Sequence, residues 1–187
     1  MWIGMAARES PLCDFGKLAP DFKLLGVDGR RWTLADCRGE KAMLVMFLCN
    51  HCPYVKASID RIVAVCNELM PLGMKAVAIM PNDVENYPDD SFENMQRFAA
   101  AHQFPFPYLY DETQKTARAY GAVCTPDFFG YNAKLELQYR GRLDESRPSL
   151  PKPDARRELF EAMQQIIETG QGPREQFASV GCSVKWR

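Results

Sequence analysis

Two cysteines three residues apart, Cys49 and Cys52, stand in the run Cys49-Asn50-His51-Cys52-Pro53-Tyr54-Val55. Cysteine is a nucleophile as the thiolate, so the question is what lowers a thiol's pKa here. Proline is best tolerated at the first position of a helix, where its missing N–H forfeits no hydrogen bond. If Pro53 opens a helix, Cys52 is the N-cap, facing unpaired backbone N–H groups and the positive end of the helix dipole. Cys52 is therefore the expected nucleophile, and Cys49 the thiol that resolves a mixed disulfide or sulfenic acid formed on it. Residues i and i+3 of a turn lie within about 7 Å by Cα, and a disulfide spans roughly 4.4–6.8 Å. A Cys49–Cys52 bond is feasible. His51 either adds positive charge or is simply exposed, and exposure is the expectation.

Two other readings stand beside this one. Cys49 follows Phe47 and Leu48 and suits an inert core position. The phrase Cys-x-His-Cys also offers sulfur and nitrogen to a metal, but a closed zinc site takes four ligands. The other histidine, His102, falls at a distant helix end, so neither metal nor cofactor is expected.

The chain of 187 residues suits one domain, and its net charge of −1 carries no basic footprint for nucleic acid or an anionic membrane. Its seven cysteines, at 13, 37, 49, 52, 66, 124 and 182, are odd in number and scattered. They do not form the framework of a secreted disulfide scaffold. With no apolar run of membrane length and no signal-peptide pattern before Arg8, a cytoplasmic protein is expected, where a close cysteine pair is more often catalytic or redox-sensing than a staple.

The elements that must hold the pair follow from periodicity. Residues 1–17 read as a lead-in. Asp21 to Leu34 carries a hairpin turning at Val27-Asp28-Gly29-Arg30. Ala42 to Leu48 is a continuous apolar run, as in a strand buried on both faces. Apolar residues at 55, 59, 62, 63, 66, 69 and 70 give the period of a helix, ended by Pro71 and Gly73. Lys75 to Met80 is a second buried strand, so the strand–helix–strand unit is a right-handed parallel crossover. Asp90, with Glu93, is expected to cap a helix running to about His102. Pro107 to Tyr110 is a short strand, and Asp111 with Gln114 caps a helix ending near Gly121. Asp127 to Tyr131 and Leu135 to Arg140 form an antiparallel hairpin. A Pro-rich loop over 143–153 precedes a helix capped by Asp154 and closed by Gly170. The tail, 171–187, shows no period and is expected to pack on the same domain, which spans 18–170.

Several phrases together resemble a known family. Leu18-Ala19-Pro20-Asp21-Phe22-Lys23-Leu24 with Asp28-Gly29, the strand leading into Cys52-Pro53, and Tyr120-Gly121 followed by Thr125-Pro126 are similar to the thioredoxin-like superfamily. Within it they resemble the peroxiredoxin-like branch of the alkyl hydroperoxide reductase and thiol-specific antioxidant (redoxin) family. The phrase Cys-Asn-His-Cys-Pro-Tyr-Val and the ending Gly181-Cys182-Ser183-Val184-Lys185-Trp186 resemble one of its peroxiredoxin-like subgroups. The resemblance implies an α/β thioredoxin-like fold: a central mixed sheet flanked by helices, with an N-terminal β-hairpin and a helix-containing insertion. It implies a cis peptide bond at Pro126, a loop facing Cys52, and backbone pairing at Thr125 for a substrate chain. Cys124 then lies near Cys52 either as a third redox partner or as an inert buried thiol. Cys182 is read as part of a structural tail in preference to a resolving thiol. Tyr54 and Phe129 are expected to supply apolar surface around the site. Glu85, Asp89 and Asp90 are read as loop and capping residues.

Two departures qualify the activity. Val55 stands where thioredoxins place their second cysteine, and Cys49 stands where peroxiredoxins place a threonine. The peroxiredoxin arginine has only loose candidates in Arg140, Arg142 and Arg147. The leading expectation is a thiol–disulfide oxidoreductase acting on protein or small-molecule thiols and disulfides, as monomer or homodimer. A hydroperoxide reductase is the runner-up, and a metal-binding or metal-delivery protein the third reading.

Overall fold

The computed structural model describes residues 6–146 and 151–187; of the sequence readings, Arg147 and part of the 143–153 loop fall outside them. The short strand β1 (Ala7–Glu9) lies within the lead-in, and the hairpin of β2 (Lys23–Gly26) and β3 (Arg31–Thr33) follows. A turn of helix, α1 (Leu34–Cys37), starts with a reciprocal cap in which Thr33 and Asp36 satisfy each other's backbone N–H. Then come β4 (Ala42–Phe47), α2 (Pro53–Leu69), β5 (Met74–Met80), α3 (Phe92–Ala101), β6 (Tyr108–Tyr110) and α4 (Lys115–Tyr120). The chain ends with β7 (Cys124–Thr125), β8 (Asp127–Asn132), β9 (Leu137–Tyr139), α5 (Glu158–Thr169) and β10 (Val180–Ser183).

Seven strands form a mixed sheet in the order β3-β2-β6-β5-β4-β8-β9. The apolar runs at β4 and β5 pair in parallel at its centre, and β8 pairs antiparallel with β4. Alternation along β4 sends Leu44, Met46 and Leu48 to one face, against α2 and α5. Met43, Val45 and Phe47 go to the other, against α1 and α4. The expected thioredoxin-like architecture, a central mixed sheet flanked by helices, is the observed one. No helix among the described residues is long and apolar enough to cross a membrane.

Several local expectations need correction. The tail forms a strand, β10, that pairs antiparallel with both β1 and β7 in a separate three-stranded sheet. A strand of four residues leaves too little alternation to be read from sequence. Asp90 does not cap α3. Ser91 takes that place and accepts the Asn94 N–H, while Glu93 pairs with Arg97 at 2.6 Å. Asp154 does not cap α5, which starts after Arg157 without a side-chain cap. Asp111 serves α4 from further back, accepting the Ala117 N–H at 2.7 Å, while Gln114 turns through a left-handed φ of 62°.

The face of α2 that carries Val55, Ile59, Ile62, Cys66 and Leu69 is buried against the sheet and fixes where the helix begins. Removing packing atoms from a well-filled core costs both transfer and cavity free energy. Ile62→Ala is expected to destabilise the protein by about 2–5 kcal/mol in urea unfolding. A shift below about 0.5 kcal/mol would place Ile62 outside the core.

Candidate active site

Cys52 is the N-cap of α2 with Pro53 at the first turn, as the spacing predicts. Its sulfur is fully buried at 0% exposure. Around it the fold gathers groups from three segments. Cys49 precedes it in the β4–α2 turn, with its Sγ 3.3 Å from the Thr125 Oγ1. Thr125 comes from β7 and also places its carbonyl oxygen 3.2 Å from the Cys52 Sγ. The Thr125–Pro126 peptide bond is cis, as the resemblance implies. Cys182, from β10, brings its Sγ to 2.7 Å from the Cys52 Sγ. No disulfide joins any of the seven cysteines.

Protons distribute unequally over these sulfurs. Hydrogen bonds from the Cys182 and Cys49 thiols hold the Cys52 pKa well below the ordinary 9.0, more than offsetting the effect of burial. Backbone N–H groups of Val55 and Cys182 add to this, although none closes a capping hydrogen bond on the sulfur. The Thr125 carbonyl oxygen works the other way, since it can accept only from a protonated Cys52. Cys49 and Cys182 are pushed up, Cys49 chiefly by burial and Cys182 chiefly by its hydrogen bond to Cys52. The first proton to leave the cluster is that of Cys52.

His51 departs from expectation: it is largely buried, at 11% side-chain exposure, because Asp90 holds it. Asp90 is fully buried and receives the N–H of Asn50 at 2.8 Å, the N–H of His51 at 3.3 Å and the Asn82 amide at 2.9 Å. Its Oδ2 also sits 2.6 Å from the His51 Nδ1, at an angle suited to an ion pair more than to a directed hydrogen bond. The Asp90 contact and charge raise the His51 pKa from 6.5, against burial, and the nearby Cys52 charge adds to the rise. His51 also stacks on Tyr87, with ring centroids 5.9 Å apart. Asn50 is held from its other end by the Tyr108 hydroxyl at 2.9 Å. Asp90 is thus the residue that shapes the Asn50-His51 turn. The acidic pair Asp89-Asp90 between Pro88 and Ser91 has the local pattern of a helix cap, and its distant partners leave no mark in the sequence.

Other predicted residues divide. Tyr54 and Pro126 line a cleft of about 790 Å³ beside the site, together with Phe128 and Val180. Phe129 is not there: one step along β8, it packs on the opposite face of the sheet with Phe47 and Tyr120. Cys124 is buried, directs its thiol to the Pro126 carbonyl at 3.5 Å, and has its pKa raised by burial. Arg140 is bound to Asp127 at 3.0 Å and to the Gly121 carbonyl at 2.8 Å, and Arg142 to Glu158. Cys49, His51 and Asp90 place one ligand atom each within 4.8 Å of one another, which is three donors for a metal. Two of these already lie against each other, the Asp90 Oδ2 at 2.6 Å from the His51 Nδ1.

The model of the AhpC/TSA family matches residues 15–145, more than half of the chain, including the Cys49–Pro53 turn and the cis-proline. The chain belongs to the AhpC/TSA family. Among solved structures, an uncharacterized conserved protein from Geobacillus kaustophilus is 45% identical, with a TM-score of 0.93 over 99% of this chain and 98% of that one. A hypothetical protein from Sinorhizobium meliloti 1021 is 34% identical, with a TM-score of 0.90 over 96% and 98%. The thioredoxin domain of a thiol-disulfide oxidoreductase from Bacteroides vulgatus shares the fold at 16% identity and a TM-score of 0.58, over 74% and 91%. Comparison with curated proteins gives no match. Membership of this redoxin family supports oxidoreductase activity in general.

Because Asp90 raises the His51 pKa, the pair stabilises the fold while His51 is protonated. A raised folded-state pKa contributes fully below the unfolded value, near 6.5, and the contribution fades as pH rises through the folded value. The loss of stability in Asp90→Asn, read from urea midpoints, is expected to be largest in mild acid and to shrink toward alkaline pH. A pH-independent loss would contradict the His51–Asp90 pairing.

Proposed function

We propose that this protein is a thiol–disulfide oxidoreductase in which Cys52 attacks and Cys49 resolves. The observation that carries the reading is the Cys52 sulfur at the start of α2 beside thiols that can become its disulfide partners, and those neighbours favour its thiolate by lowering its pKa. Cys52 attacks one sulfur of a partner disulfide, that S–S bond breaks, and the second sulfur leaves as a thiolate. The leaving thiolate takes the proton that Cys49 gives up. The Cys49 sulfur then attacks Cys52, the Cys49–Cys52 bond forms, and the partner's remaining sulfur departs, protonated from solvent. One partner disulfide is reduced to two thiols and one protein dithiol is oxidised; run in reverse, the same steps oxidise a partner. Suitable partners are protein or small-molecule disulfides reaching the site from the cleft at Tyr54 and Pro126. The cysteine usage fits a reducing compartment such as the cytoplasm.

Hydroperoxide reduction is a second reading, favoured by family membership. In it Cys52 attacks the peroxide, becomes a sulfenic acid, and condenses with Cys49 with loss of water. Two features weigh against it. Cys49 replaces the threonine expected of a peroxidatic site, and the described candidate arginines, Arg140 and Arg142, are held in ion pairs away from any such role.

Peptide mass spectrometry of the oxidised protein is expected to find a Cys49–Cys52 bond, and Cys52→Ser is expected to reduce a small disulfide no faster than the uncatalysed reaction. Retained turnover in Cys52→Ser would sink the mechanism. Hydroperoxide should be consumed at a rate near that of cysteine itself; consumption many times faster would favour the peroxidase.

A further inference from the structure

We infer that Cys182 is a second disulfide partner of Cys52, so that the attacking sulfur stands between two resolving thiols, one in its own turn and one in the C-terminal strand. The inference rests on Cys52 as the attacking thiolate and adds a covalent link between α2 and the tail.

The placement of Cys182 is built by the fold at several points. Strand β10 aligns Cys182 with Thr125 and Ser183 with Cys124 on one side, and Cys182 with Ala7 on the other. Beyond it the Ser179 hydroxyl donates to the Pro126 carbonyl at 2.8 Å, and the Val184 N–H donates to the Val123 carbonyl at 3.1 Å. Gly181 lets the strand lie this close: a Cβ there would come to 2.2 Å from the Thr125 carbonyl oxygen. The Cys182 sulfur is thereby held 2.7 Å from that of Cys52, at 2% residue exposure. A disulfide needs roughly 2.05 Å between sulfurs, so closing the bond takes less than about 1 Å of movement.

The same strand pairs with β7 next to the cis-proline, and Val180 at its start lines the cleft with Tyr54 and Pro126 beside Cys52. The chemistry of the step is plain. Glutathione disulfide attacked by Cys52 gives a Cys52–glutathione mixed disulfide and one glutathione thiolate. Capping removes the negative charge that holds the Cys182 proton, while the nearby Lys185 favours its thiolate. Cys182 passes its proton to the departing glutathione and attacks Cys52; the Cys52–Cys182 bond forms and the second glutathione leaves. The first glutathione thiolate takes its proton from solvent, so one glutathione disulfide becomes two glutathione thiols while the Cys52 thiolate and the Cys182 thiol become one disulfide.

The test oxidises the folded full-length protein with glutathione disulfide and maps the bonds after trypsin. Cys49 and Cys52 share the peptide Ala42–Lys56, whereas Cys182 lies in Glu175–Lys185, so the two disulfides differ as an internal loop and a cross-link between peptides. Cys49→Ser is expected to yield the cross-link, with two thiols lost and no glutathione retained; Cys49→Ala repeats the test should the serine disturb the fold. Gly181→Val is expected to lose most of the cross-link and keep the internal loop. Cys49→Ser or Cys49→Ala that stops at a Cys52–glutathione adduct, with Cys182 still a thiol, overturns the inference. Cys182→Ser that fails to form the Cys49–Cys52 loop overturns the proposed function instead, and inertness of both variants overturns both.

Discussion

A charged sulfur removed from water has to find its compensation inside the protein, and the site around Cys52 is organised by that requirement. Desolvation alone would keep the thiol protonated. Here the compensation comes from two neighbouring thiols, Cys49 and Cys182, and from the backbone N–H groups of Val55 in the first turn of α2 and of Cys182 in β10. The arrangement is self-consistent: one negative charge at the centre keeps the protons on Cys49 and Cys182. It also supplies the chemistry, because the groups that stabilise the thiolate are those able to form a bond with it.

The scaffold behind the site does two things. The parallel pair of β4 and β5, buried on both faces, ends β4 where the turn to α2 begins, so Cys49 and Cys52 sit at the carboxyl end of the central strand. Asp90 then fixes the turn between the cysteines through two backbone N–H groups and the His51 ring. A buried carboxylate that receives this many donors is a rigid support, and removing it would leave several polar groups unsatisfied.

What was legible in the sequence follows from how local each signal is. Pro53 next to Cys52 announces a helix start in two residues, and the β4, α2 and β5 segments announce themselves by period. The cis-proline became readable only through the resemblance around Thr125-Pro126. The partners of Asp90 and Cys182 carry no local signal because they lie far away in the chain: Asn50, His51 and Asn82 for one, Thr125 and Cys52 for the other. Phe129 is one position away from Phe128, the residue that reaches the site, and a one-residue step along a strand changes the face. Gly181 beside Cys182 was the one local clue that the tail strand packs closely against another backbone.

The central claim is that Cys52 is the thiolate of the reduced protein, and absorbance at 240 nm reads thiolate directly. Titrated from acid to alkaline pH, the reduced wild type should show one thiolate appearing well below pH 9, and Cys52→Ser should lack that early step while keeping the later ones. An early step that survives in Cys52→Ser, or a wild type with no thiolate until alkaline pH, would contradict the account.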